Sequence, residues 1–299
     1  MTRSHRTEEV PVAGGSLRVG VWDAAGETAP PTATIVAVHG ITASHLAWQW
    51  LADALPEVRI VAPDLRGRGR SNAVAGPAGM AAHADDLAAV FAHLRLPRAL
   101  VVGHSMGAFV SVVFAARHSA LVARLVLLDG GLPLQVPAGL SGDALVAAVL
   151  GPTAERLSMT FASEDEYFAF WRRHPGLADA WGRELERYLA YDLVPAGAGL
   201  LCPATSLATT TEDTVDLNTT AVVPEALRRV TAPRVLVSVS RGLQNEEPGL
   251  YAPEHLARQL ALFPGFEAHR WDGFNHYTVV MTPAGASRVA DLVREQLAR

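Results

Sequence analysis

The stretch Ala99-Leu-Val-Val-Gly103-His104-Ser105-Met106-Gly107-Ala-Phe-Val sets Gly-x-Ser-x-Gly between two apolar runs. The first run reads as a strand buried on both faces, and the second as the start of a helix packed against it. The chain must therefore reverse within a few residues. Gly103 and Gly107 permit a strained bend and a close strand-helix approach, which leaves Ser105 at the tip. The Met106 amide then stands at a helix N-terminus, directed at any incoming anion. That is the context a nucleophile elbow demands, whereas the five-residue pattern alone also occurs in ordinary Gly-rich turns.

The rest of the chain supports an α/β reading. Apolar strand candidates Leu17 to Trp22, Thr34 to Val38, Arg59 to Ala62, Ala99 to Val102 and Leu125 to Leu128 alternate with helical patterns, as parallel βαβ units require. The clearest helix runs from Met80 to Leu94, with Met80, Ala84, Leu87, Phe91 and Leu94 on one stripe and His83, Asp85, Asp86 and His93 largely off it. Over residues 131–231 the texture changes to helical fragments broken by Pro and Gly, without a convincing strand. This predicts an inserted helical cap (131–231) that divides the core into 1–130 and 232–299. The cap carries Phe161, Tyr167, Phe168, Phe170, Trp171, Trp181, Tyr188 and Tyr191, spaced to make a cap core or line a cavity. The sheet pattern resumes at Arg234 to Val239. A helix around Glu254 to Phe263, a strand near Glu267 to Arg270 and a last helix capped by Thr282, with Pro283 in its first turn, complete the chain.

Composition narrows the function classes. The 299 residues are 49% hydrophobic and 18% charged, which is globular, and 25 Lys and Arg against 30 Asp and Glu give a formal charge of -5. A nucleic-acid partner would need a local basic patch, and Arg66, Arg68 and Arg70 in a Gly-containing stretch read as a solvated loop instead. The single cysteine, Cys202, excludes an intramolecular disulfide and a Cys-based metal cluster. The first residues, MTRSHRTEEVPVAGGS, lack the apolar core of a signal peptide, and no run approaches the ~18 apolar residues of a membrane span. The expectation is a soluble cytoplasmic protein without a membrane or nucleic-acid partner.

Four segments together carry a resemblance: Val38-His39-Gly40-Ile41, Asp64-Leu-Arg-Gly67-Arg-Gly69-Arg-Ser71, the elbow, and Asn275-His276. The chain resembles an α/β-hydrolase over nearly its whole length. The resemblance implies a mostly parallel eight-stranded sheet flanked by helices, a helical lid inserted after the sixth strand, and a Ser-acid-His triad in that chain order. Ser105 would be the nucleophile and His276 the base, with the Ile41 and Met106 amides forming the oxyanion hole. His39 and His104 would be structural or pocket-lining. The acid departs from the commonest family pattern. After Val235 to Val239 the chain reads Ser240-Arg-Gly242-Leu-Gln-Asn-Glu246-Glu247, with no Asp. The family's other solution puts the acid just after the sixth strand, where Asp129 ends Leu125-Val-Leu-Leu-Asp129. Asp129 is therefore the first candidate, and Glu246 or Glu247 the alternatives. His104, Trp48, Phe109 and Tyr277 are candidate pocket walls, with core packing equally open for each.

The expected chemistry is acyl transfer to water from a small or medium apolar carboxylic ester or lactone, through an acyl-enzyme. Thioester cleavage, carbon-carbon bond hydrolysis and perhydrolysis would use the same triad. The chain has no His-Glu-x-x-His, phosphate loop or dinucleotide fingerprint, so no metal or cofactor is expected. A reading from another class is a hydrolase-like ligand-binding protein with little turnover, motivated by the missing Asp near Gly242.

Overall fold

A computed structural model describes every residue except 1, 27–32, 137–138 and 141. In chain order the strands are β1 (Arg6–Val12), β2 (Gly15–Trp22), β3 (Thr34–Val38), β4 (Arg59–Pro63), β5 (Ala99–His104), β6 (Val122–Leu128), β7 (Leu193–Gly197), β8 (Leu200–Pro203), β9 (Arg234–Arg241) and β10 (Phe266–Asn275). Eight of them form one sheet in the order β1-β2-β4-β3-β5-β6-β9-β10. The β1-β2 and β2-β4 pairs are antiparallel, and the other pairs in that sheet are parallel. The fold is thus α/β with a mostly parallel eight-stranded sheet, as expected.

Side chains alternate across this sheet with the period of two that a strand imposes. Val36, Val38 and Val101 join one apolar cluster with Leu87 and Phe114, while Ile35, Ala37, Leu100 and Val102 join another with Leu51 and Val289. All six residues of β5 are buried, because helices cover both of its faces. The chain passes from β4 to β5 across β3, and in such open sheets the ligand crevice lies at the carboxyl ends of the strands. The loops after β3, β5, β6, β9 and β10 all meet there.

Two elements depart from the sequence expectations. β1 carries no strand signal, since Arg-Thr-Glu-Glu-Val-Pro-Val has a single buried residue, Val10. It is an edge strand, where outward charges discourage pairing with other chains. Between β6 and β9 run the helices Gly142–Leu150, Pro152–Glu155, Glu164–Arg172, Arg183–Tyr191, Leu207–Thr219 and Val222–Arg229, but also the antiparallel β7-β8 hairpin. Pro195, Pro203 and the Gly197-Ala198-Gly199 turn disguise that hairpin as broken helix. Those three turn residues take φ of 88°, 50° and 78°, which reverses the chain. Among the described residues no helix is long and apolar enough to cross a membrane.

Candidate active site

Ser105 lies between β5 and the helix Met106–Arg117, at φ 53° and ψ -126°. A non-glycine residue in this region carries strain of about 1–3 kcal/mol, so its surroundings must hold it there. The Ser105 amide donates to Leu128 O at 3.0 Å, and its carbonyl accepts from Ala108 N at 2.9 Å. The flanking glycines set the clearance. A Cβ on Gly107 would sit 2.0 Å from Val38 O, and one on Gly103 would sit 2.5 Å from Gly107 O. The loop after β3 passes beside Ser105, since a Cβ on Gly40 would lie 3.1 Å from Ser105 Cβ.

His276 arrives from the opposite end of the chain, in the turn after β10. Asn275 builds that turn: its Oδ1 accepts from Tyr277 N at 3.0 Å and Thr278 N at 2.9 Å, while its Nδ2 donates to Gly176 O at 3.0 Å. His276 Nδ1 donates to Asp129 Oδ2 at 2.7 Å, and Asp129 Oδ1 accepts from Val239 N at 3.3 Å. Asp129 is fully buried and His276 is 3% exposed. With its proton on Nδ1, the neutral imidazole offers the Nε2 lone pair. Glu246 and Glu247 are exposed and bound elsewhere. Gln244 N donates to Glu246 Oε2 at 2.7 Å, and Arg241 Nε lies 3.4 Å from Glu247 Oε1. The structure therefore puts Asp129, and neither alternative glutamate, on the imidazole.

Ser105 and His276 line one cavity, together with Gly40, Ile41, His104 and Met106. Ser105 Oγ takes no hydrogen bond among the described residues, which is common before substrate closes a site. Met106 opens its helix, where an amide has no intrahelical partner. His39 is buried behind the loop: its Nδ1 donates to Gly40 O at 2.7 Å and its Nε2 accepts from Leu65 N at 3.0 Å. Burial pushes its pKa down to about 4, so it is neutral at pH 7.

Of the other candidate walls, Phe109 and Tyr277 line the cavity, and Trp48 does not. Trp48 is 1% exposed within the apolar cluster that contains Leu51 and Val289, so its assignment is corrected to core. Among the aromatics between β6 and β9, Trp171 and Tyr188 reach the cavity, whereas Phe161 and Tyr167 pack against each other. Sequence reasoning missed Leu134, Val149, Leu150, Leu217, Leu243 and Leu250, whose spacing carries nothing to separate them from core leucines. Among the described residues no Asp, Glu, Lys or Arg lines this cavity.

A sequence model of the family described as alpha/beta hydrolase fold matches residues 33–215, more than half of the chain. The chain belongs to the α/β-hydrolase family. It is 41% identical over 102 residues to lipase LipV of Mycobacterium tuberculosis, a match covering 34% of this chain and 39% of that protein. The chain thus spans about two fifths of that relative's length. Among solved structures it is similar to E-2-(acetamidomethylene)succinate hydrolase, with TM-score 0.80, 23% identity and coverage of 99% and 100% of the two chains. A thioesterase domain from the curacin biosynthetic pathway gives TM-score 0.73 at 21% identity, covering 98% and 99%. At these identities the solved structures speak to the fold.

In this chain the arginines after β4 are not a solvated loop. Arg66 is 4% exposed and forms a forked pair with Asp86, both contacts at 2.7 Å. Arg68 is fully buried, and its NH1 lies 2.5 Å from Asp213 Oδ2. Arg70 stays partly exposed, with its guanidinium 4.4 Å from the Tyr191 ring centroid. Asp64, at the head of the same segment, accepts from His45 Nδ1 at 2.8 Å and Tyr191 OH at 2.7 Å. Burial alone would raise the Asp64 pKa, but His45 and the backbone donors outweigh it and hold it at about 2. His83 and Asp86, off the helix stripe, are buried partners of Asp213 and Arg66. Among the described residues no three His, Cys, Asp or Glu side chains converge as metal ligands.

Proposed function

We propose that this hydrolase cleaves a small or medium apolar carboxylic ester or lactone through an acyl-enzyme on Ser105. The observation that carries the reading is the shared cavity, lined both by a serine on a left-handed bend and by an imidazole whose Nδ1 is bound by buried Asp129. Ser105 Oγ attacks the acyl carbon as its proton passes to His276 Nε2, and the carbonyl oxygen becomes an oxyanion held by the Ile41 and Met106 amides. Collapse restores the carbonyl and breaks the bond to the leaving oxygen, which takes the proton from His276. Water then gives His276 a proton as its oxygen attacks the acyl carbon, and the second collapse frees the acid and returns the proton to Ser105. Asp129 fixes the tautomer and stabilises the imidazolium in both halves.

The wall chemistry supports a neutral substrate. Leucines, Phe109, Trp171 and Met281 dominate the lining, and no cationic side chain faces a carboxylate there among the described residues. A succinate-derived substrate of the kind named for the fold neighbour would lack a charged partner.

A series of p-nitrophenyl esters from acetate to dodecanoate, with one lactone and one thioester, tests this reading. It expects kcat/KM to rise from acetate to a medium chain and then fall, and Ser105→Ala to abolish hydrolysis. Turnover that survives Ser105→Ala would contradict it. No turnover of any ester, with tight binding of apolar ligands, would favour the ligand-binding alternative.

A further inference from the structure

We infer that Arg68 is a positioning residue for the oxyanion hole, held in place by Asp213 of the cap helix Leu207–Thr219. The inference rests on the serine hydrolase reading above and adds how its backbone donors are aligned.

Arg68 has no exposed surface and touches both residues of the oxyanion hole. Its Nε donates to Ile41 O at 2.7 Å, its NH2 reaches Met106 Sδ at 3.9 Å, and its NH1 donates to Arg66 O at 2.9 Å. The bond to Ile41 O fixes the Ile41-Thr42 peptide and so restrains the residue whose own amide must point at the oxyanion. Alignment of such donors matters steeply, because a misdirected amide keeps its place in the fold yet loses its transition-state contact.

The remaining guanidinium face meets Asp213. That carboxylate also accepts from His83 Nε2 at 2.9 Å and from Gly79 N at 2.7 Å, just before the helix Met80–His93. Burial opposes its ionisation, but His83 and Arg68 outweigh that and hold its pKa well below the usual carboxylate range. Removing one member of such a buried set strands the other charge. The contact with the cap is broader than this pair. Ser206 N donates to Gly67 O at 2.8 Å, and a Cβ on Gly67 would lie 2.7 Å from Thr209 Cβ.

The same cap helix presents Thr214 and Leu217 to the cavity, and Thr214 directly follows Asp213. A substrate filling the cavity thus presses on the helix that anchors Arg68, and Arg68 grips the Ile41 carbonyl. Correct seating of the cap and alignment of the oxyanion hole become one condition.

The test uses the full-length enzyme with p-nitrophenyl butyrate, a butylboronic acid as tetrahedral mimic, and 2-hexanone as a ground-state control. For Arg68→Met the account expects kcat to fall about a hundredfold with KM changed less than about threefold, and boronate affinity to fall by a similar factor while ketone affinity holds. Arg68→Lys should recover part of the loss, because an ammonium can still donate to Ile41 O. Asp213→Asn, which keeps an acceptor for Gly79 N and removes the charge, should lower kcat about tenfold with the same boronate signature. It keeps the test decisive if Arg68→Met does not fold. Folded variants with wild-type kcat, or with reduced kcat and unchanged boronate affinity, would overturn the inference. Failure of the wild-type enzyme to hydrolyse the butyrate or bind the boronate would instead sink the serine hydrolase reading.

Discussion

The His104 imidazole donates from Nε2 to the backbone carbonyl of His276 at 2.8 Å, with the two rings 4.7 Å apart. His104 therefore anchors the loop that carries His276. It does so uncharged, because burial, reinforced by His276, pushes its pKa well down. His39, behind the loop after β3, is likewise held neutral, at about 4.

A pH dependence of stability follows from these buried histidines. Their pKa values are lower in the folded protein than in the unfolded chain, whose ordinary value is 6.5. Below 6.5 the unfolded chain binds more protons, so stability falls as pH is lowered, for His39 over the window from 6.5 to about 4, and is unaffected by these groups above 6.5. His39 alone contributes a loss of about 3 kcal/mol across it. Denaturant unfolding at pH 7, 6, 5 and 4 should show the decline, with a slope smaller by nearly one proton in His39→Asn. An unchanged slope in that variant would remove His39 from the account.

The acid assignment predicts an asymmetry among three carboxylates. Asp129→Asn should lower kcat by about 10³–10⁴-fold, as loss of the tautomer-fixing acid does in other triads. Glu246→Gln and Glu247→Gln, on exposed side chains away from His276, should stay within about twofold of wild type. Steady-state kinetics on one ester decides this, and the reverse ranking would move the role to the loop after β9.

The strained bend gives a stability prediction. Ser105→Gly relieves a left-handed conformation that Ser105→Ala retains, so the glycine variant should be the more stable of two inactive proteins by about 1 kcal/mol. Equal unfolding midpoints would mean that the bend is not strained.

Much of the sheet was legible because β3, β5, β6 and β9 are buried on both faces and read as apolar runs. The elbow was legible because Gly103 and Gly107 have no substitute where a strand and a helix touch. β1 was silent since an edge strand buries little, and β7-β8 was hidden because prolines and a glycine turn look like breaks in a helix. The arginines were misread for a different reason. Arg66 and Arg68 are neutralised by Asp86 and Asp213, which lie 20 and 145 positions along the chain. Local pattern cannot show partners that meet through the fold. The cavity leucines were missed on similar grounds, as a wall and a core use the same side chains.

The most direct measurement is intact mass after treatment with a fluorophosphonate, followed by peptide mapping, on wild type, Ser105→Ala and His276→Ala. One adduct mapping to Ser105 in the wild type, none in Ser105→Ala and strongly slowed labelling in His276→Ala is the predicted result. A wild type that stays unlabelled, or an adduct on any residue other than Ser105, would contradict the account.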